Sequence, residues 1–201
     1  LKLLFGLPKP DPEREEAFIQ EQWKRVKEPK TMLATILLSI PMMAVAGVVT
    51  WLLIGLFRPM RLSDYGFGAE SITLQINPIH LVWLLALLLV HELIHLLLVP
   101  KVFQSEKTWL GLTLFGGFVL TEETMTRRRY LVITLAPFVV ISVIGPLVIG
   151  ALGWLTPAIS FLMLLNALGS SVDLLSAALI VSQVPSKARV TNRVTKTFWK
   201  M

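Results

Sequence analysis

Four stretches of the chain are almost unbroken in apolar residues, and the polar residues are gathered outside them. They run from Thr31 to Phe57, Pro78 to Val99, Tyr130 to Trp154 and Pro157 to Ser182. Each is long enough for an α-helix to cross a hydrocarbon core, which takes about 20 residues. Pro41 in the first and Pro137 and Pro146 in the third predict kinks. Between the second and third lies "TWLGLTLFGGFVLTEE", Thr108 to Glu123, in which Gly116-Gly117 separates two β-prone runs. That is a hairpin signal, with a re-entrant apolar loop as the competing reading. The pattern therefore predicts an all-α polytopic membrane protein: four transmembrane helices, with a small membrane-associated β-hairpin after the second.

The segment before the first span, "DPEREEAFIQEQWKRVKEP", predicts a short amphipathic helix. Asp11 would cap it, Pro12 open it and Pro29 stop it. Phe18, Ile19, Trp23 and Val26 form its apolar stripe, suited to lying on a membrane surface or docking on a partner. The expected organisation is a cytoplasmic amphipathic segment over residues 1–30, a four-span domain over 31–182 and a basic cytoplasmic tail over 183–201.

Composition supports this picture. The chain of 201 residues is 54% hydrophobic with a mean hydropathy of +0.69, too apolar for a soluble domain of that size. It has no cysteine, which excludes disulfides and thiolate metal sites. A net charge of +6 raises the question of nucleic acid, but the distribution of charge answers it differently. With four spans, 17 of the 19 Lys and Arg residues fall on one side, leaving only Arg58 and Arg61 on the other. The positive-inside rule then puts both termini in the cytoplasm of a multi-pass cell-membrane protein, with no nucleic-acid partner. Trp51, Trp83 and Trp154 are expected near the outer interface. The first 30 residues are too charged for a cleavable signal peptide, so the first span should serve as its own insertion signal.

One group of residues resists a purely structural reading. Within the second span stands HELIH, with His91, Glu92 and His95 in otherwise apolar surroundings. Ionisable groups in a span cost roughly 2.5–3.5 kcal/mol each on insertion scales, so something must offset them. Histidines four residues apart lie on one helical face and can share a metal, with Glu92 beside them to take a proton from a metal-bound water. A zinc site of this kind usually has three protein ligands. His80 is about 16 Å along the helix from His91 and cannot serve. A carboxylate must, and the one acid in another span is Asp173. His91 is nine residues before Pro100 and Asp173 nine before Ser182, so on parallel helices both lie at matching depth. Two neutral histidines, one carboxylate and one hydroxide would also neutralise Zn²⁺, which suits a low-dielectric site. Asn166, Gly169, Ser170 and Asp173 share one face of the helix expected for the fourth span. Asn166 is a candidate to bind substrate backbone or to bond another helix. Arg127–Arg129 are expected to anchor topology.

At these residues the sequence resembles the intramembrane zinc metalloproteases of the site-2 protease clan, and most of all the bacterial membrane family described as putative zincin peptidases. The likeness rests on HELIH in one span, the hairpin after it and the Asn166…Asp173 pair in a later span. It implies Zn²⁺ as cofactor, Glu92 as general base, and cleavage of membrane-embedded or membrane-near peptide segments. Two other classes compete: a metal-dependent membrane scaffold or pseudoprotease, and a metal transporter. A binding-only site needs no base at position 92, and no chain of intramembrane carboxylates leads to the site.

Overall fold

The structure is a computed structural model that describes residues 1–6, 12–65, 78–113, 116–194 and 196–201. Four helical segments are long and apolar enough to cross a membrane: Met32–Gly55, Pro78–Leu98, Arg127–Ala151 and Pro157–Gln183. They follow the predicted spans to within a few residues. The first is a single helix, α2, preceded by a short helix α1 over Pro12–Gln20. The second is α3, Pro78–Leu98, which carries HELIH. The third is α4 (Arg127–Pro137), a π-helical segment over Phe138–Ile144, and α5 (Gly145–Ala151). The fourth is two helices, α6 (Pro157–Gly169) and α7 (Ser171–Gln183). Thr156 caps α6, its hydroxyl accepting from the amide of Ile159, and Pro157 stands at the first turn. Leu81, Leu85, Leu88 and Leu89 of α3 are exposed, as are Leu37, Val45, Val48 and Leu52 of α2. Apolar surface on this scale suits lipid rather than water.

The all-α expectation is corrected by two small sheets. The first has the order β1-β3-β4, with β1 over Lys2–Phe5, β3 over Thr108–Thr113 and β4 over Gly116–Thr121. β3 and β4 form the expected antiparallel hairpin, but both glycines lie inside β4, paired with Thr113 and Leu112. β1 pairs parallel to β3. The second sheet has the order β2-β7-β6-β5, with β2 over Lys24–Arg25, β5 over Met125–Thr126, β6 over Arg189–Arg193 and β7 over Lys196–Lys200. The segment read as a basic tail is thus a hairpin. The N-terminal helix also differs from expectation. It ends at Gln20, well before Pro29, because Lys24 and Arg25 pair with Trp199 and Phe198, and the amide of Val26 bonds the carbonyl of Thr197. Its Phe18 packs on Trp23 and Phe198, with the Arg193 guanidinium over its ring. Phe18, Trp23 and Val26 of the apolar stripe are therefore covered by the chain itself. Asp11, the expected cap, lies outside the described residues.

The chain divides into two compact units, and each division point falls inside a helix. The first unit comprises Leu1–Leu38, Glu92–Ala136 and Asp173–Met201, and holds both sheets. One of its cores joins Leu96, Val99, Val102, Met125 and Ile133, with Leu110 and Val119 packed against it. This fixes the C-terminal half of α3 against the hairpin and α4. A second core gathers Val26, Ile180, Val184, Ala188 and Val190. The second unit comprises Ser39–His91 and Pro137–Val172, with a core at Ile54, Leu155 and Met163. The expected charge asymmetry coincides with this division: of the Lys and Arg residues, only Arg58 and Arg61 belong to the second unit.

Candidate metal centre

His95 is held from both sides. Its Nδ1 lies 2.8 Å from the carbonyl oxygen of Ile133 in α4. A carbonyl can only accept, so Nδ1 carries the proton and Nε2 presents its lone pair. Nε2 in turn lies 3.5 Å from Oδ2 of Asp173 in the first turn of α7, the two side chains being 12% and 27% exposed. The separation is informative. Two donors about 2.0–2.1 Å from a tetrahedral zinc stand about 3.4 Å apart. Asp173 and His95 are thus spaced as ligands of one ion.

His91 lies one turn before His95 on the continuous helix α3. Its Nδ1 is 2.9 Å from Oδ1 of Asn166. His91, His95 and Asp173 each offer a ligand atom, and these atoms all lie within 4.8 Å of one another. Two imidazoles and a carboxylate are a fitting donor set for zinc with one position left for water or substrate. The residues present therefore fit the metal. His80, set aside on distance, is exposed near the start of α3.

Glu92 follows His91 and is half-buried. The strand β4 passes directly over it: a Cβ at Gly117 would stand 2.8 Å from its Cγ. Only a residue without a side chain fits there unless Glu92 moves. In the order β1-β3-β4, β4 is an edge strand among the described residues, so the strand touching Glu92 also ends its sheet.

Asn166 stands in α6, whose last residue is Gly169. The amide and hydroxyl of Ser170 both bond the carbonyl of Asn166, and a new helix begins at Ser171. Asn166 and Asp173 therefore stand in successive helices, α6 and α7. The Asn166 side chain contacts His91, the carbonyl of Pro137 and the hydroxyl of Ser142.

Two of the arginines expected to anchor topology make hydrogen bonds to the ends of the helices that carry the candidate ligands. Arg129 donates twice to the carbonyl of Leu98, the last residue of α3, at 2.9 and 2.6 Å. Arg127 donates to the carbonyl of Val181 in the last turn of α7, at 3.0 Å. Each guanidinium thus meets the negative end of a helix that carries a candidate ligand. The signal in the sequence was the run of three arginines directly opening α4, which charge counting alone assigns to orientation.

A family model described as "Putative zincin peptidase" matches residues 84–189, more than half of the chain, and spans HELIH, the hairpin and Asp173. No curated protein and no solved structure matches the chain.

Proposed function

The chain belongs to the family described as "Putative zincin peptidase", and on that footing we propose that it is an intramembrane zinc metalloprotease. Membership of that family implies zinc, and His91, His95 and Asp173 can form its site. The observation that carries the reading is the convergence of those three ligand atoms to within 4.8 Å beside a glutamate.

His91, His95 and Asp173 would hold the metal, and zinc, when bound, would supply Lewis acidity toward a water and the peptide carbonyl. Glu92 takes the proton from the attacking water and returns it to the departing amine. Partial burial of the ligand set strengthens its electrostatics, because it lowers the surrounding dielectric. The substrate is a membrane-embedded or membrane-near protein segment. Its carbonyls are hidden while it is helical, so it must be extended before attack. β4 offers an edge for that purpose, and support comes from the contact between Gly117 of this strand and Glu92. The same reading puts four spans in the cell membrane with both termini cytoplasmic, supported by the grouping of basic residues.

The test uses the full-length protein purified in detergent, assayed for metal content and for cleavage of a reporter with a transmembrane segment. Zinc near one per chain with zinc-dependent cleavage supports the reading. Protein that carries zinc but cleaves neither this reporter nor soluble peptides would favour a scaffold instead. Cleavage of soluble peptides alone would leave a metallopeptidase and remove the intramembrane specificity.

A further inference from the structure

We propose that Asn166 is a positioning residue for His91 rather than a contact for substrate, and that the π-helical segment Phe138–Ile144 is what makes it one. The proposal rests on the zinc reading above. Its basis is the direction of a hydrogen-bond chain whose polarity is set at two points. Nδ2 of Asn166 lies 3.3 Å from the carbonyl oxygen of Pro137 and 2.9 Å from Oγ of Ser142. The Ser142 hydroxyl donates to the carbonyl of Met163 at 2.9 Å, so Oγ accepts from Asn166. Carbonyls cannot donate, so the amide has no freedom to flip: its NH₂ faces Pro137 and Ser142, and its oxygen faces His91. Oδ1 is an acceptor only. His91 must carry its proton on Nδ1 and present the lone pair of Nε2. The other tautomer would set two lone pairs against each other inside a buried site, where Asn166 is 4% exposed and Ser142 fully covered.

The π-helix supplies the geometry. In an α-helix, residues five apart point about 140° away from each other. Winding with i→i+5 bonds, seen here in the bond from the amide of Gly145 to the carbonyl of Val140, widens the turn and cuts that angle to well under half. Pro137 and Ser142 are five apart and meet the same amide nitrogen. An α-helical third span would turn one of them away. Outer-sphere partners of this kind fix a ligand's tautomer and orientation, and their loss typically costs 10–100-fold in metal affinity.

The experiment measures zinc affinity by chelator competition on full-length protein in detergent, comparing wild type with Asn166→Leu, Asn166→Asp and Ser142→Ala. Asn166→Leu should weaken zinc binding 10–100-fold, and Ser142→Ala several-fold. Asn166→Asp, which still accepts from Nδ1, should stay within a few-fold of wild type. Nitrogen-15 spectra of the metal-free protein should show His91 protonated on Nδ1 in wild type and as a mixture of tautomers in Asn166→Leu. Should Asn166→Leu not fold, Ser142→Ala decides alone, since it removes one buried hydroxyl and cannot touch substrate. Unchanged zinc affinity in the folded variants, with a raised KM in Asn166→Leu, would overturn the proposal and make Asn166 a substrate contact, leaving the peptidase reading intact. A wild-type protein without zinc affinity would overturn both.

Discussion

Asp173 and Gly117 lie at the same centre but should fail in opposite ways. Asp173 faces Nε2 of His95 at 3.5 Å, so Asp173→Ala removes one of three ligands and should sharply reduce copurifying zinc. Full zinc occupancy in purified Asp173→Ala would refute the ligand assignment. Gly117→Val should leave zinc in place, because no ligand changes. Its Cβ, however, would need the space of Glu92, whose Cγ is 2.8 Å away, and displacing the base should lower turnover at least tenfold. Zinc content and turnover measured side by side check this. The candidate ligands were legible in the sequence because helical spacing alone puts His91 and His95 on one face, and because Asp173 is the one acid within another span. The partner of Asn166 was not legible. It depends on π-winding after Pro137, which leaves no periodic trace.

At the scale of elements, the hairpin gives the sharpest expectation. Successive residues of an edge strand alternate between amides that bond the neighbour and amides that face outward. Of Phe118→Pro and Val119→Pro in β4, one removes an outward donor and one an inward donor. If substrate adds to this edge, loss of the outward donor should cut turnover while folding and zinc content stay normal. Normal turnover in that variant would remove the strand-addition step. Arg129→Met tests the helix-end contact instead. Losing two bonds to the carbonyl of Leu98 at an exposed site should cost no more than about 1 kcal/mol, read as a fall of a few degrees in Tm with saturable zinc binding retained. The spans could be read from composition because length and apolarity define them. The second sheet could not, since its strands are short and its pairings join Lys24–Arg25 to Phe198–Trp199 across most of the chain. A cue was nonetheless present in Arg189–Lys200, where Val190, Thr191, Thr197, Phe198 and Trp199 are strand formers. Reading that stretch by charge alone hid it.

For the whole molecule, the absence of cysteine makes orientation in the membrane directly measurable. Single cysteines at Lys107 and Lys187 should be labelled only from the cytoplasmic side, and one at Asp64 only from outside, as the grouping of basic residues requires. Labelling of positions 64 and 187 from the same side would refute four spans with cytoplasmic termini. The central claim, that the metal centre hydrolyses peptide bonds with Glu92 as base, is tested most directly by Glu92→Gln. Glutamine keeps the size of the side chain and leaves His91, His95 and Asp173 in place, but it cannot take a proton from water. Wild type and Glu92→Gln should be compared for cleavage of a membrane substrate at equal expression and equal zinc content. Turnover should fall by on the order of 10²–10⁴ in the variant, with uncleaved substrate accumulating. Equal turnover in the two proteins would contradict the account.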